Sequence, residues 1–321
     1  TPLGERKYEH GVVIVAAGGY EMKNRDYLRG ESKRVMTQRE LEHALATNAP
    51  GKEMVKSVVM IQCVGSRSAE SPYCSRYCCS EAIKNALALK EDDPTREVTI
   101  LYRDIRTYGL KEDYYRKARE MNVQFIRYDE ERRPEVWKKK GRLGVRVFDP
   151  VLNQPVELEA DIVALSVGVA PNPENEAIGK MLKVPTNQDG FFLEAHVKLR
   201  PVDFATDGVF VCGLAHSPKA SDEAVAQALA AVSRSSTVLT RPFIEAEGKT
   251  AYVVKERCMG CGLCEINCPY SAIAVDAAEG VAVVNQVLCK GCGVCTASCR
   301  MNAADLNGFN NEEILAQIGA M

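Results

Sequence analysis

Charge of one sign is missing from this sequence: 41 Lys and Arg stand against 43 Asp and Glu, a formal net charge of −2. That balance argues against nucleic-acid or anionic-membrane partners. Long apolar runs are missing too. The longest, GVVIVAAGG and IVALSVGVA, are strand-sized, short of the roughly 18 residues that a membrane span needs. Histidine is scarce. His10, His43, His196 and His216 are scattered along the chain and offer no visible acid–base or nucleophilic apparatus; His216, near a strand end, reads as a core or surface histidine. Also absent is G-x-G-x-x-G, the phosphate-cradling fingerprint of dinucleotide folds. The chain opens on Thr1 in what reads as mid-fold, so a longer polypeptide is expected, with the strand and turn that would hold a pyrophosphate lying upstream.

Cysteine, by contrast, is abundant, with 13 residues. An odd, clustered set in a chain this long does not read as a secreted disulfide scaffold and points to metal in a reducing compartment. CMGCGLCEINCP sets Cys258, Cys261, Cys264 and Cys268 at C-x2-C-x2-C-x3-C, and CKGCGVCTASCR repeats the spacing at Cys289, Cys292, Cys295 and Cys299. Three thiolates in such a loop grip one 4Fe–4S cubane, and the fourth faces the other cluster. The expected sets are Cys258, Cys261, Cys264 and Cys299 for one cluster, and Cys289, Cys292, Cys295 and Cys268 for the other. Pro269 follows the first quartet, whereas Arg300 stands at that place in the second. Zinc and structural thiols are the bland readings, outweighed by eight cysteines in register. The segment from Tyr252 to Asp305 resembles a bacterial two-cluster ferredoxin.

Upstream, apolar strand-like runs alternate with helical patterns, which implies α/β architecture with parallel sheets. VVIVAAGG is a strand followed by Ala17, Gly18 and Gly19. SVGVAPNPE carries Gly168 in a strand-then-turn, and FATDGVFVCGLA ends a strand at Gly213, Leu214 and Ala215. Small residues at strand carboxyl ends let a nucleotide approach the backbone. Together these signals resemble two-dinucleotide-domain flavoproteins of the thioredoxin reductase class, incomplete at the N-terminus, and so imply FAD at those strand ends. In that class an acidic residue usually follows the glycine where Leu214 stands here. The helix starting at Ser221, an expected N-cap, would aim its amides and dipole at the flavin. Lys219 would add a positive charge, unless it is a solvated surface lysine. The expected spans are 1–51 and 157–239 for the FAD domain, 52–156 for a degenerate second dinucleotide-binding domain, 240–251 for a linker and 252–321 for an α+β ferredoxin domain.

The second domain is unusual where its phosphate loop should be. After the strand MVKSVVMI comes QCVGSRSAESPYCSRYCC, with one glycine, Gly65, and four cysteines. Nicotinamide binding is therefore expected to be lost. Cys63 at a strand end and Cys74, Cys78 and Cys79 near a helix start are candidate ligands of a third 4Fe–4S cluster, since helix N-terminal amides stabilise thiolates and anionic clusters. Zinc on the same thiolates and a buried or reactive thiol set are the alternatives.

IQCVGSR, YCSRYCC, YRDIRTYG, PYSAIAV and LCKGCGVCTASC together resemble HdrA, the A-type subunit of heterodisulfide reductase, along nearly the whole chain. The resemblance implies an oxidoreductase subunit of a cytoplasmic complex of anaerobes, carrying FAD and iron–sulfur clusters. It implies flavin-based electron bifurcation, or its reverse, between a hydrogenase- or dehydrogenase-type two-electron donor, a high-potential branch and ferredoxin. Disulfide chemistry would belong to partner subunits. Two other readings stay open: an NAD(P)H oxidoreductase with fused ferredoxin, similar to the small subunit of glutamate synthase, and a non-catalytic electron-wiring subunit.

Overall fold

A computed structural model describes residues 8–47, 54–243, 248–286 and 288–320. The first apolar run, which reads as one strand, forms two: β1 (Val13–Val15) and β2 (Gly19–Glu21), interrupted at Gly18, whose φ of 72° extended backbone cannot adopt. Strand β3 (Val35–Thr37) feeds α1 (Gln38–Ala46) through a reciprocal cap. The Thr37 hydroxyl accepts from Glu40 N at 3.3 Å and the Glu40 carboxylate accepts from Thr37 N at 2.8 Å. Then follow β4 (Ser57–Val64), α2 (Cys78–Asp92), β5 (Glu97–Tyr102), α3 (Glu112–Glu120) and β6 (Gln124–Arg127), an antiparallel meander of β7 (Glu135–Lys139), β8 (Arg142–Asp149) and β9 (Gln154–Ala160), and β10 (Ile162–Val167).

Five of these strands make one parallel sheet in the order β3-β10-β4-β5-β6. Strand periodicity sends alternate side chains to opposite faces. Val58, Met60, Val98, Ile100 and Ala164 meet Leu41, Ile83, Ala86 and Ala118 of the three helices. Val59, Ile61, Leu101, Val163 and Leu165 meet Leu143, Val145 and Val147 of the meander. Burial on both faces explains why β4 and β10 read as unbroken apolar runs. The sheet reaches past both ends of the expected 52–156 span, taking β3 from before it and β10 from after it. A strand buried on both faces belongs mid-sheet, and β10 lies between β3 and β4.

A two-stranded link joins this domain to the rest: β11 (Val169–Pro171) pairs antiparallel with β2. Beyond it lie α4 (Asn175–Leu182), β12 (Val209–Val211), parallel to β1, and α5 (Ser221–Leu239). Val15, Phe192, Phe204, Val211 and Ala215 form a small core there. Part of the expected linker, 244–247, falls outside the described residues.

The C-terminal unit contains β13 (Ala251–Val253), α6 (Leu263–Ile266), β14 (Ile273–Val275), β15 (Ala282–Val284), α7 (Val294–Ser298), β16 (Ala304–Leu306) and α8 (Asn311–Gly319). Each of β13, α6 and β14 recurs about 31 residues later as β15, α7 and β16, and the pairs are crossed: β13 with β16, β14 with β15. Lys290 forms an ion pair with Asp207 of the preceding domain. Among the described residues, no helix is long and apolar enough to cross a membrane.

Candidate functional site

The crossed duplication shapes the ferredoxin-type site. Gly260 and Gly291 sit between the first two cysteines of each loop with φ of 63° and 60°. A Cβ at Gly260 would lie 2.2 Å from the Gly280 carbonyl oxygen, and one at Gly291 would lie 2.1 Å from that of Lys249. Each cysteine loop therefore nests on the backbone leading into a strand of the opposite half, an approach that only glycine permits. Backbone amides point at four of the sulfurs with the same symmetry. Ala282 N donates to Cys258 Sγ and Ala251 N to Cys289 Sγ, each at 3.3 Å. Ala272 N donates to Cys268 Sγ and Ala303 N to Cys299 Sγ, each at 3.2 Å. Amide donors of this kind stabilise thiolate sulfur and raise the potential of a bound cluster.

At the other cysteine set, β4 ends in a bulge. Leu165 of β10 pairs with Ile61 and Val167 with Val64, so the intervening stretch of β4 holds one residue more than its partner. Cys63 takes up the excess in a left-handed conformation, φ 61°, and a bulge re-aims its side chain. Cys78 and Cys79 are the first two residues of α2 and both are buried, while Cys74 is half-buried in the preceding loop. The four thiols act on one another electrostatically. Cys63 is pushed up by burial, with Cys79 and Cys74 adding and Arg67 opposing. A hydrogen bond between Cys78 and Cys79 raises the former and draws the latter down to about 7, helped by Arg106 and Arg67. Arg67 reaches Cys63 Sγ at 4.0 Å and pairs with Asp104 at 2.7 Å. Across the bulge, Gln62 and Ser166 are fully buried, yet neither the Gln62 side-chain amide nor the Ser166 hydroxyl has a partner. Orphaned buried polar atoms at the bulge that carries Cys63 fit a site shaped around a further group. Among the described residues, no three His, Cys, Asp or Glu side chains converge as a single metal ion requires. That holds for the ferredoxin-type loops as well, since each thiolate of a cubane binds a different iron.

At the third place the structure separates the expected flavin residues into two groups. Gly18 and Gly213 lie just past the carboxyl ends of the paired strands β1 and β12, with φ of 72° and 68°, and a Cβ on either would meet nothing within 4 Å. Ala17 is beside them, its carbonyl oxygen accepting from Asn172 Nδ2 at 3.0 Å. Gly19 and Gly168 are enclosed instead. A Cβ at Gly19 would lie 3.0 Å from Ala170 O, and one at Gly168 2.6 Å from Met22 Sδ, so both serve close packing of the β2–β11 link. Leu214 packs near Gly19, and Ala215 is fully buried, its carbonyl oxygen accepting from Phe192 N at 3.0 Å.

Helix α5 begins at Ser221, but its N-cap is Ala220 rather than Ser221. The Glu223 carboxylate accepts from Ala220 N at 3.0 Å, which satisfies the cap residue's own amide, whereas a serine hydroxyl at the cap would have taken an amide inside the first turn. Lys219 is not a solvated surface lysine: it is 7% exposed. Its Nζ donates to Gly213 O at 2.7 Å and to Ser217 O at 2.9 Å. Burial lowers it to about 8, and the Arg76 charge acts in the same direction. His216, lowered by burial, has Nε2 2.8 Å from Glu194 Oε2 and Nδ1 2.9 Å from Gln227 Nε2. Gln227 Oε1 in turn accepts from Gly213 N at 2.9 Å. The Gly213 turn is thus held by Lys219 on its carbonyl and by Gln227 on its amide. Sequence reasoning missed Glu194 and Gln227, which lie remote along the chain and carry no spacing signal.

A family model described as a 4Fe-4S dicluster domain matches residues 257–303, supporting two 4Fe–4S clusters there. The chain is 42% identical to the A-type iron-sulfur subunit of the CoB-CoM heterodisulfide reductase of Methanocaldococcus jannaschii, over 98% of this chain and 50% of that protein. It is 40% identical to the A-type subunit of the H(2):CoB-CoM heterodisulfide,ferredoxin reductase of Methanothermobacter marburgensis, again over 98% of this chain and 50% of that protein. Thioredoxin reductase of T. acidophilum aligns with a TM-score of 0.46 at 16% identity, covering 72% of this chain and 66% of that one. The chain spans about half the length of the curated relatives it matches. With a match to these subunits that runs along nearly all of its length, and with the duplicated cysteine loops set on an α/β body, the chain belongs to the HdrA family of heterodisulfide reductase subunits.

Proposed function

We propose that this chain is the flavin- and cluster-bearing part of an electron-transfer subunit in a heterodisulfide-reductase-type complex. It exchanges electrons between a two-electron donor, a disulfide-type or other high-potential branch, and ferredoxin, by flavin-based bifurcation or its reverse. The observation that supports the reading is three features in one chain: the dicluster loops, the four cysteines running from the β4 bulge to the start of α2, and the open glycine edge of β1 and β12 facing the start of α5. Ala17, Gly18, Gly213 and the α5 N-terminus at Ser221 would hold FAD, with space where Cβ atoms would otherwise stand. Lys219 and Gln227 fix the backbone of that edge. Cys63, Cys74, Cys78 and Cys79 would hold a third 4Fe–4S cluster. When bound, a flavin takes electrons in pairs and releases them singly, whereas cubanes carry one at a time.

Anaerobically purified whole protein tests the reading. The stretch corresponding to this chain should contribute iron for three cubanes, and Cys74→Ser should lower the total by about one cubane's worth, four iron atoms. Iron for the two dicluster sites alone, with zinc or free thiols at Cys63, Cys74, Cys78 and Cys79, rules out the third cluster. Absence of flavin from the whole protein rules out the flavin part.

A further inference from the structure

Loop 73–76 lies inside the four-cysteine segment, yet most of its side-chain contacts leave the domain that carries it. Tyr73 OH donates to Val169 O at 2.8 Å, and Ser75 Oγ accepts from Val169 N at 2.9 Å, so both backbone groups of the first residue of β11 are taken. The Tyr73 ring meets Phe191 edge-on at 5.4 Å. Arg76, left-handed at φ 63°, donates to Glu223 Oε1 at 2.7 Å and to Tyr108 OH at 3.1 Å. Tyr108 OH donates to the same carboxylate oxygen at 3.0 Å, while the other Glu223 oxygen caps α5. Lys111, just before α3, holds both oxygens of Asp222 at 3.0 Å.

Two domains joined by a pair of short strands are expected to move relative to one another unless their interface is strong. Here the interface adds buried polar bonds to the link itself and a ring of charges at the start of α5. We propose that Tyr73, Ser75, Arg76, Tyr108 and Lys111 form an interdomain lock. It clamps the five-stranded-sheet domain onto β11 and the N-terminus of α5, so that the cysteine loop and the Gly213 turn keep one fixed separation. The consequence for electron transfer rests on the function proposed above; the lock itself does not. Arg76 and Glu223 are positioning residues that act through the loop and the helix.

A partly exposed ion pair alone is weak, so the test is a double-mutant cycle on the whole, cofactor-loaded protein. Glu223→Gln keeps an acceptor for Ala220 N–H but removes the charge, and Arg76→Met removes its partner. Hydrogen exchange is followed in peptides covering 168–171 and 217–224. Each single variant should speed exchange there severalfold, and the double should add little beyond the larger single effect, because both break one interaction. The spread of donor electrons into the iron–sulfur absorbance should slow by roughly tenfold or more, as ångström-scale misplacement of reacting groups does, with iron and flavin contents at parental values. If Arg76→Met loses iron, Tyr108→Phe, which lies outside the cysteine segment and whose hydroxyl donates to the same Glu223 oxygen, takes its place in the cycle, and Lys111→Ala is paired instead with Asp222→Asn. Unchanged exchange in the single variants, or additive effects in the double, overturns the lock. A parent protein lacking the third cluster sinks that assignment, and the lock then stands or falls on exchange alone.

Discussion

Replacing Gly291 by alanine should remove the cluster held by Cys289, Cys292, Cys295 and Cys268, whereas the same change two residues away at Gly293 should not. Both glycines are left-handed, with φ of 60° and 78°, so both variants bear the cost of about 1–2 kcal/mol for an L-residue in that region. They differ in what a methyl group meets. At Gly293 the nearest atom is Leu306 Cδ1 at 3.5 Å, an ordinary contact. At Gly291 it is the Lys249 carbonyl oxygen at 2.1 Å, with the carbonyl carbon at 3.1 Å. Relief requires backbone to move by roughly an ångström, which adds about 1–3 kcal/mol. The moving segment leads to Ala251, whose amide donates to Cys289 Sγ, so the shift withdraws a sulfur's hydrogen bond as well. The crossed symmetry supplies a replicate. Gly260→Ala, against Gly280 O at 2.2 Å, should cost the first cluster, and Gly262→Ala, with nothing within 4 Å, should spare it. Iron and acid-labile sulfide per chain, measured anaerobically, read the outcome. Equal cluster content in Gly291→Ala and Gly293→Ala would refute the reasoning, because backbone conformation would then be the whole effect.

Cys261→Ser and Cys292→Ser should each damage one ferredoxin-type cluster and stop exchange with an external one-electron partner, while reduction by the two-electron donor survives. Partner reduction at the parental rate would take these clusters off the path. The Glu81 carboxyl is pushed up to about 7 by burial, against the opposing Lys84 charge. A raised carboxyl favours the protonated form in the fold. The unfolded chain loses its proton first, near 4.5, so stability falls as pH climbs from there through 7. Glu81→Gln should therefore change little near pH 5 and stabilise by about 1–3 kcal/mol at pH 8, read as a shift in denaturant midpoint; an equal gain at both pH values contradicts this. Tyr128→Phe removes the buried bond from Tyr128 OH to Gln62 O at 2.6 Å and should cost about 1–3 kcal/mol, again in denaturant midpoint; a loss below a few tenths contradicts it.

What the sequence discloses follows from how local each signal is. The dicluster loops are legible because cubane ligation fixes spacing within a dozen residues, and the 31-residue repeat confirms itself. The cysteine segment after β4 is legible as a strand–turn–helix for the same reason. The membership of β3 and β10 in one sheet is not, because parallel neighbours far apart in sequence leave no local trace. Ser221 reads as a cap from its residue type, but the helix starts one residue earlier than that reading requires, so the cap position falls to Ala220, whose own amide Glu223 takes. Lys219 looks solvated because lysine usually is; its burial depends on the carbonyls of Gly213 and Ser217 folding back over it. Arg76 sits in plain view between cysteines in YCSRYCC, yet its partner is 147 residues away.

The geometry of the four-cysteine segment bears on why cysteines occupy a nucleotide-type turn. Three non-glycine residues there, Cys63, Arg67 and Arg76, are left-handed at φ of 61°, 57° and 63°, an outlay of roughly 3–6 kcal/mol in backbone strain. Beside them, buried Gln62 and Ser166 side chains lack partners. Strain and unpaired polar groups persist only where something over-determines the conformation. Part of that is visible: Ser75 and Tyr73 bond to Val169, and Arg67 Nη2 pairs with Asp104 at 2.7 Å. The sulfurs are held by weaker contacts: Arg67 to Cys63 Sγ at 4.0 Å, Arg76 N to Cys74 Sγ at 3.3 Å and Cys79 Sγ to Asp104 O at 3.6 Å. Bonds from Cys63, Cys74, Cys78 and Cys79 to a cubane would supply the rest, and would tie the end of β4 to the start of α2 more firmly than a reversible nucleotide could. On this view the turn exchanged a phosphate cradle, which needs glycine amides and an empty pocket, for a permanent cofactor that needs bent backbone and thiolates. Gly65, at φ 74°, shares the turn after β4 with Cys63 and Arg67, while Arg76 bends the chain at the approach to α2.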